Sequence, residues 1–259
     1  MVLNKMEKVI SQIYEIQTPD EAEQIVSAGV DHIGSVIVSA SDWKQSRIKE
    51  TLAYVAQTEA KSSLILLFND PDLVFSALEY YQPDIVHFCE VLIDSHVQNI
   101  PGAICDALVQ LQSQIRIRFP EIKIMRTIPI PGNNLTATVP FLEIAKMFEP
   151  VSDYFLTDTL IVSHTGNDDQ PVEGFVGITG KTCDWDSATR LVAESQIPVI
   201  LAGGLSPENV YEGIRTVRPA GVDSCTLTNM CDAGGTSIRF KKDIAKVKQF
   251  LSEMRRACV

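Results

Sequence analysis

Hydrophobic residues occur along this chain in short runs that alternate with longer amphipathic segments. The short runs are rich in Val, Ile and Leu, which is typical of strands buried on both faces. The segments between them place apolar residues three and four positions apart, which predicts helices with one buried face. The predicted strands cover residues 9–16, 31–38, 63–68, 84–88, 122–128, 154–156, 198–202 and 221–225. A helix is predicted after each strand, and the last of these helices covers residues 240–254.

Strands that alternate with helices in this way predict one parallel sheet with crossover helices. Eight such units close into a (β/α)8 TIM barrel, and 259 residues is an ordinary length for one. We therefore predict a single α/β domain over residues 1–259. The alternative is a doubly wound open sheet, but no Gly-x-Gly-x-x-Gly motif follows the first strand. Barrels of this kind carry their functional groups where the strands end, so candidate residues are sought there.

One stretch, residues 197–210, reads as a strand, a glycine turn and a capped helix. Gly203 and Gly204 follow the apolar run, and Ser206 and Pro207 suit the N-cap and the first position of a helix. Paired glycines allow a ligand to approach the backbone closely, and their amides suit an anion such as phosphate. The alternative is a tight turn that holds no ligand. The turn alone does not decide between the two.

Composition excludes several classes of function. A net charge of -11 argues against nucleic acid and anionic membranes as partners. The chain has no long apolar run, and charges interrupt its N-terminus, so we expect a cytoplasmic protein. The six cysteines show no Cys-x-x-Cys spacing and the four histidines are dispersed, so we predict reduced thiols and no metal. The expected partner is a phosphorylated small molecule, bound by a monomer or homodimer without a cofactor.

Two longer motifs point to a family. Asp158 ends the sixth predicted strand and is followed by Gly-Ile-Thr-Gly-Lys-Thr-Cys-Asp-Trp at residues 177–185. The seventh strand continues as Leu-Ala-Gly-Gly-Leu-Ser-Pro-Glu-Asn-Val at residues 201–210. Both motifs resemble those of the phosphoribosylanthranilate isomerase family of tryptophan biosynthesis. The resemblance spans nearly the whole chain and is most specific over residues 179–223.

The resemblance implies an Amadori rearrangement, in which a phosphoribosyl amine becomes an aminoketose phosphate. This reaction needs a general acid and a general base. The family's acid falls on Asp158. Its phosphate-binding amides fall on Gly203 and Gly204, and its second phosphate loop on Cys225 and Thr226. The substrate contacts that the resemblance and the barrel position suggest are Arg126, Thr179, Gly180 and Cys89. Arg126 is expected in or just above the barrel, where it contacts the ligand or pairs with Asp158 or Glu15.

The chain also departs from the family at the reacting end. Tyr14 stands where the family has its cysteine base, and Glu15 stands where the family has a glycine. An arginine that would meet the substrate carboxylate is replaced by Trp43, and the loop after Asp158 is lengthened around residues 167–170. Because successive strand residues face opposite sides, only one of Tyr14 and Glu15 can point into the barrel. We expect Tyr14 to do so.

Three functional hypotheses remain open from the sequence. In the first, the chain is an isomerase whose base is Glu15 or Cys89, acting from a shifted position. In the second, it is a related barrel that acts on another phosphorylated metabolite. In the third, it is a phosphosugar-binding protein without catalytic activity. The first hypothesis predicts turnover of phosphoribosylanthranilate, and the third predicts binding without turnover.

Overall fold

A computed structural model of the protein describes residues 8–93, 102–132, 139–161, 174–177 and 179–258. Eight parallel strands form a sheet that closes on itself, because β8 pairs with β1. The predicted (β/α)8 barrel is therefore confirmed, and the open-sheet alternative is wrong. The strands are β1 Ile10–Ile13, β2 His32–Ile37, β3 Lys61–Leu66, β4 Ile85–Phe88, β5 Lys123–Pro131, β6 Tyr154–Leu160, β7 Val199–Leu201 and β8 Gly221–Ser224.

Eight helices lie outside the barrel in the described part of the chain. They are α1 Pro19–Ala28, α2 Ser46–Val55, α3 Pro71–Tyr81, α4 Gly102–Arg118, α5 Phe141–Phe148, α6 Trp185–Glu194, α7 Val210–Val217 and α8 Ile244–Ala257. Several begin at a side chain that accepts a backbone amide, as their sequences predict. Thr18 accepts from Glu21, Asp70 from Leu73 and Asp184 from Ser187. Within the described residues, no helix is long and apolar enough to cross a membrane.

The predicted start of the last helix is wrong. Residues 240–242 are not helical but belong to a hairpin made of β9 Asn229–Cys231 and β10 Ser237–Lys242. The helix begins after Asp243, whose carboxylate accepts the amides of Ala245 and Lys246. The hairpin turn is held by Asp232, which accepts the amides of Gly234 and Thr236. The chain thus gains a two-stranded flap beside the end of β8.

The barrel interior is filled by side chains that point inward from alternate strand positions. Apolar members of this interior include Tyr14, Val36, Leu67, Ile85, Cys89, Met125, Leu156, Ile200 and Ala202. Two larger apolar clusters lie between the sheet and the helices. Polar groups of the interior lie toward both ends of the strands. His32, the first residue of β2, lies 3.0 Å from Gln12 Oε1, whereas Asp158 lies toward the carboxyl end of β6, where the cavities described below open.

Candidate functional site

Two adjoining cavities lie at the carboxyl ends of the barrel strands. The larger is lined by interior residues such as Tyr14 and His87 and by residues of the mouth such as Phe175. The smaller is lined by Gly180, Gly203, Gly204 and the segment after β8. Asp158, Asp223 and Cys225 line both cavities. One ligand can therefore occupy both cavities and meet these side chains at their junction.

Asp158 projects from β6 into this junction. The backbone amide of Thr159 donates to its Oδ1 at 2.7 Å. Gly177 has a φ of +115°, and a Cβ there would come within 2.4 Å of Asp158 Oδ2, so only glycine allows this approach. No Lys or Arg in the described ranges forms an ion pair with Asp158. Burial raises the pKa of the carboxyl to about 6, so it titrates close to neutral pH.

Asp223 is a second carboxyl at the junction, and the sequence reasoning did not assign it a role. It lies on β8, where Gln12 Nε2 donates to its Oδ1 at 3.2 Å. Burial raises its pKa to about 8, and the charge of nearby Asp158 adds to this shift although the Gln12 hydrogen bond opposes it. The alternation of side chains along a strand would have identified Asp223. It places Asp223 on the same face as Cys225, which the sequence had already indicated as a site residue.

Tyr14 lies inside the barrel, on the side predicted for it. Its ring packs against Gly34, where any Cβ would come within 2.1 Å of the ring. Its hydroxyl lies 2.6 Å from Ser63 Oγ and 2.7 Å from His87 Nδ1, and His87 Nε2 is 2.8 Å from Thr127 Oγ1. Burial raises the pKa of Tyr14 well above its usual range. The phenol therefore stays protonated and is not suited to act as a base.

His87 completes this interior network as a neutral imidazole. Burial and the nearby charge of Arg126 lower its pKa to about 3. Its two ring nitrogens are both engaged, one by Tyr14 and one by Thr127. The network is thus uncharged, and it holds the tyrosine ring in place without supplying a cation to the cavity.

Glu15 borders the larger cavity but is turned toward the hairpin. Its φ of +65° is a left-handed conformation that is rare for residues other than glycine. Its carboxylate accepts from Asn229 Nδ2 and from Arg239 Nε, each at 2.7 Å. Burial alone would raise its pKa, but the hydrogen bonds from Asn229 and Arg239 outweigh burial and lower the pKa. A carboxylate held in this way is a weak base.

Cys89 follows β4 and lines the larger cavity, so it is placed where a substrate contact was expected. Burial raises the pKa of its thiol well above the usual value, and the charges of Glu90 and Asp158 add to the shift. The thiolate is therefore scarce at neutral pH. Its position suits contact with a ligand better than proton abstraction.

Arg126 lies away from both cavities, and the predicted pairing with Asp158 or Glu15 is wrong. Met125 and Thr127 face the interior, so alternation along β5 turns Arg126 outward under the helices. There it is fully buried, forms an ion pair with Glu90 and donates from Nε to Gln112 at 2.9 Å. Its guanidinium also lies 4.5 Å from the ring centre of Phe148. Arg126 is thus a structural residue between β5 and the helices.

The smaller cavity presents backbone amides. Gly203 and Gly204 have φ of +88° and +59°, and a Cβ at Gly204 would come within 2.5 Å of the Lys181 and Thr182 backbone. Within the described residues, the amides of Gly203, Gly204 and Thr226 have no hydrogen-bond acceptor. Such a group of amides can bind an anion.

The remaining predicted residues of this region divide into two groups. Gly180, Cys225 and Thr226 line the smaller cavity. Thr179 lines neither cavity, and its hydroxyl instead accepts the amide of Lys181 at 3.2 Å. It shapes the loop that carries Gly180. The insertion at residues 167–170 lies outside the described residues.

A buried lysine from the hairpin lies behind the smaller cavity. Lys242 Nζ donates to the carbonyl of Cys225 at 2.6 Å and also contacts Asn229 Oδ1. Burial lowers its pKa, although the charges of Glu15 and Asp223 oppose the shift. In a chain with a net charge of -11, an anion needs a local positive site. Lys242 is a candidate for that role which the sequence did not single out. In the described part of the chain, no group of three or more His, Cys, Asp or Glu residues is arranged to hold a metal ion.

Comparisons with known proteins agree with the fold and with these motifs. The family model described as N-(5'-phosphoribosyl)anthranilate isomerase matches residues 137–253. N-(5'-phosphoribosyl)anthranilate isomerase 1 of Methanosarcina mazei is 25% identical over 258 residues, which cover 98% of this chain and 97% of the relative. The corresponding enzyme of Methanocella arvoryzae is 31% identical over 170 residues, which cover 60% of this chain and 68% of the relative.

A solved structure shows the same fold. It is a phosphoribosyl anthranilate isomerase in complex with reduced 1-(o-carboxyphenylamino)-1-deoxyribulose 5-phosphate. The TM-score is 0.63 at 20% identity, and the alignment covers 96% of this chain and all of the other. Together with the relatives, these matches show that the chain belongs to the phosphoribosylanthranilate isomerase family.

Proposed function

We propose that the protein is an isomerase that converts an N-substituted phosphoribosylamine into a 1-amino-1-deoxyketose phosphate. The observation that carries this proposal is the pair of carboxyls, Asp158 and Asp223, at the junction of the two cavities. One cavity has the amides that suit a phosphate, and the other adjoins it at Asp158 and Asp223, where the sugar is proposed to lie. The names of the relatives support the same reaction.

The phosphate is proposed to bind in the smaller cavity. The amides of Gly203, Gly204 and Thr226 donate to its oxygens, and Lys242 adds positive potential from behind Cys225. Phosphate bound there fixes the position of the sugar across Asp158 and Asp223. The binding energy of a remote group can then position the reacting carbons.

Asp158 is proposed as the general acid that opens the ring, and Asp223 as the base that takes the proton from carbon two. At neutral pH the reverse arrangement predominates, because Asp223 has the higher pKa and holds the proton more often. The productive arrangement, with Asp158 protonated and Asp223 ionised, is therefore the minor one at pH 7, which slows the reaction.

The base predicted from the sequence receives no support from the site geometry. Glu15 is paired with Arg239 and Asn229, and Cys89 is a buried thiol with a raised pKa. Tyr14 remains a phenol bonded to Ser63 and His87. This leaves Asp223 as the base and makes slow turnover the expected behaviour. Action in the cytoplasm, as a monomer or homodimer and without a cofactor, stays a prediction.

The test is a fluorescence assay for consumption of phosphoribosylanthranilate. We expect measurable turnover that is at least about 10²-fold slower than a well-matched base permits. Asp158→Asn should lower the remaining turnover by about 10² or more with little change in affinity, because the amide keeps the shape but cannot donate the proton. Turnover that survives in Asp158→Asn would exclude the proposed acid.

The other two hypotheses have distinct outcomes in the same assay. Binding of the ligand with no turnover by either protein would favour a phosphosugar-binding protein without catalysis. Turnover of a different phosphorylated amine, lost in Asp158→Asn, would favour a related barrel with another substrate. The Tyr14 network favours this second possibility, because it places a ring where the family has a small side chain.

A further inference from the structure

Three buried polar side chains lie side by side on neighbouring strands of the barrel. Gln12 on β1 is paired in register with His32 on β2 and with Asp223 on β8, and all three are buried. Gln12 faces the interior, because it lies two residues before the inward-facing Tyr14. Paired residues of neighbouring strands face the same side of a sheet. Gln12 thus connects the proposed base, Asp223, to a histidine of the interior.

The hydrogen bonds among these side chains run in one direction. His32 Nδ1 lies 3.0 Å from Gln12 Oε1, and Gln12 Nε2 donates to Asp223 Oδ1 at 3.2 Å. Because an amide oxygen only accepts, the His32 nitrogen carries the hydrogen. The ring of His32 is held edge-on against Tyr154, with the two ring centres 5.9 Å apart. His32 therefore orients the amide of Gln12 with its NH2 group toward Asp223.

A donor in this position acts on the ionised form of Asp223. A carboxylate accepts a hydrogen bond more strongly than a neutral acid does. The hydrogen bond from Gln12 accordingly lowers the pKa of Asp223 and opposes the larger rise that burial causes. The same bond holds Oδ1 from the side of β1, which limits rotation of the carboxyl group. A proton acceptor in a buried site needs both effects.

Other titratable groups also face Asp223. The charge of Asp158 on β6 raises its pKa, and the charge of Lys242 on β10 lowers it. Tyr14 after β1 and Cys225 after β8 stay protonated at neutral pH, because burial raises the pKa of each. Gln12 is the neutral member of this group, so its donor is present at every pH at which turnover is measured.

His32 does not titrate in the range that matters for turnover. Burial lowers its pKa to about 4 and outweighs the charges around it. Those charges belong to Asp31, Asp84, Lys8 and Lys61. The imidazole is therefore neutral from about pH 6 to pH 8, and it remains a donor to Gln12 throughout.

We infer that Gln12 is a positioning residue for proton transfer, which holds and stabilises the carboxylate of Asp223, and that His32 orients the Gln12 amide for this role. The inference rests on the proposed function, because it concerns the base of that reaction. Gln12 and His32 act through Asp223 and are not catalytic residues themselves.

The test is the pH profile of kcat/KM in Gln12→Leu, measured by the fluorescence assay. Leucine is similar in size to glutamine but donates no hydrogen bond. We expect kcat/KM at pH 7 to fall by about tenfold and the alkaline limb to move up by about one pH unit, because a hydrogen bond to a carboxylate is lost. KM should change little. An unchanged profile would overturn the inference, as would a loss of activity without a shift of the limb, which a defect in packing alone would cause.

His32→Leu and His32→Asn form a matched pair that tests the other end of the chain of hydrogen bonds. Asparagine can place its NH2 group where the Nδ1–H of histidine lies, whereas leucine has no donor for Gln12 Oε1. We expect the alkaline limb to move up in His32→Leu and to lie closer to that of the unaltered protein in His32→Asn. Equal profiles in the two variants would overturn the inference. The pair also decides the question if Gln12→Leu does not fold.

A double variant separates failure of the inference from failure of the proposed function. If Gln12 acts through Asp223, Gln12→Leu should lower kcat/KM little further once Asp223→Asn is present. Losses that multiply in the double variant would overturn the inference and leave Asp223 as the base. If Asp223→Asn alone leaves kcat/KM unchanged, the proposed role of the carboxyl pair fails together with the inference.

Discussion

At position 15, a single substitution connects the mouth of the barrel to the β9–β10 hairpin. Glu15 has a left-handed backbone, which costs a residue with a side chain about 1 kcal/mol, and the conformation suits the glycine of the family. The carboxylate is held in return by Asn229 and Arg239. The strain is therefore offset by a buried ion pair that has no role in proton transfer.

Restoring the family residues should recover activity toward phosphoribosylanthranilate. We expect Tyr14→Cys combined with Glu15→Gly to raise its turnover by tenfold or more, because the thiol supplies a base and the smaller residues supply space. The double variant should also be less stable by about 1–3 kcal/mol, since Arg239 loses its partner. Tyr14→Phe is the control, because it removes the hydroxyl but keeps the ring. Fast turnover by the unaltered protein would contradict the argument.

The carboxyl pair should be visible in the pH dependence of turnover. A reaction that needs one proton shared by Asp158 and Asp223 is fastest between their pKa values of about 6 and about 8 and slower outside them. Asp223→Asn should lower kcat/KM by about 10². The remaining kcat/KM should only decline above about pH 6, because Asp158 then loses the proton that it donates. A bell-shaped profile that persists in Asp223→Asn would assign the second pKa to another group.

Stability gives an independent control on Asp223. Its pKa in the folded state lies above the unfolded value of 3.8, so folding favours its protonated form. Its contribution to the free energy of unfolding therefore falls as the pH rises from about 4 to about 8. The free energy of unfolding of Asp223→Asn should change less with pH over this range. At pH 8 it should exceed that of the unaltered protein. Urea unfolding at pH 5 and pH 8 measures the difference.

At the scale of elements, the strands and most helix starts followed from local patterns, whereas the hairpin did not. Apolar runs and capping residues such as Asp184 are local signals, and they located the strands and most helix starts. The pairing of β9 with β10, and of Glu15 with Arg239 more than two hundred positions away, depends on long-range contacts. Phe240 has a φ of +61°, which no hydrophobic pattern predicts.

The site was foreseeable to the same extent. The matched motifs located Asp158, Gly203 and Gly204, because a strand end and a glycine turn are encoded locally. Arg126 was misplaced because the phase of β5 decides which of two neighbouring residues faces inward. The roles of Tyr14 and Glu15 depend on partners from other strands and from the hairpin. Sequence alone names such residues but does not give their partners.

The hairpin should contribute to stability through its ion pair. Arg239→Met keeps the length of the side chain but leaves the Glu15 carboxylate buried without its cation. We expect a loss of about 2–3 kcal/mol at pH 7, and a partial recovery when Glu15→Gln is added. Urea unfolding of the two single variants and the double variant forms the cycle. Additive losses would show that the two side chains are not coupled.

The pH dependence of this cycle has a defined sign. The pKa of Glu15 in the folded state lies below the unfolded value of 4.5, because the hydrogen bonds from Asn229 and Arg239 outweigh burial. The stabilisation is therefore present above about pH 4.5 and is lost as the pH falls through the lower folded value. The gap between the unaltered protein and Arg239→Met should narrow in acid. If the difference in free energy of unfolding between the two proteins is the same at every pH, it arises from packing and not from charge.

At the scale of the whole molecule, an anion must bind against the field of a chain with a net charge of -11. Surface charges are screened over about 8 Å at physiological salt, so the local amides and Lys242 decide the outcome in the smaller cavity. The field of the whole chain slows the approach of a phosphorylated ligand more than it weakens the bound state. High affinity then depends on the cavity and not on steering.

Phosphate or sulfate should therefore stabilise the protein, and chloride at equal ionic strength should not. At a hundredfold excess over Kd, binding adds about 2.7 kcal/mol, which raises Tm by several degrees in a chain of this size. Gly204→Ala is the matched variant, because its Cβ would come within 2.5 Å of the Lys181 carbonyl carbon and the Thr182 nitrogen and displace the loop beside the cavity. Its Tm should not respond to phosphate.

Crystals grown in sulfate should show the anion within hydrogen-bonding distance of the Gly203 and Gly204 amides. Equal shifts with chloride, or a cavity filled by side chains in such crystals, would rule out the phosphate site and the proposed isomerase with it.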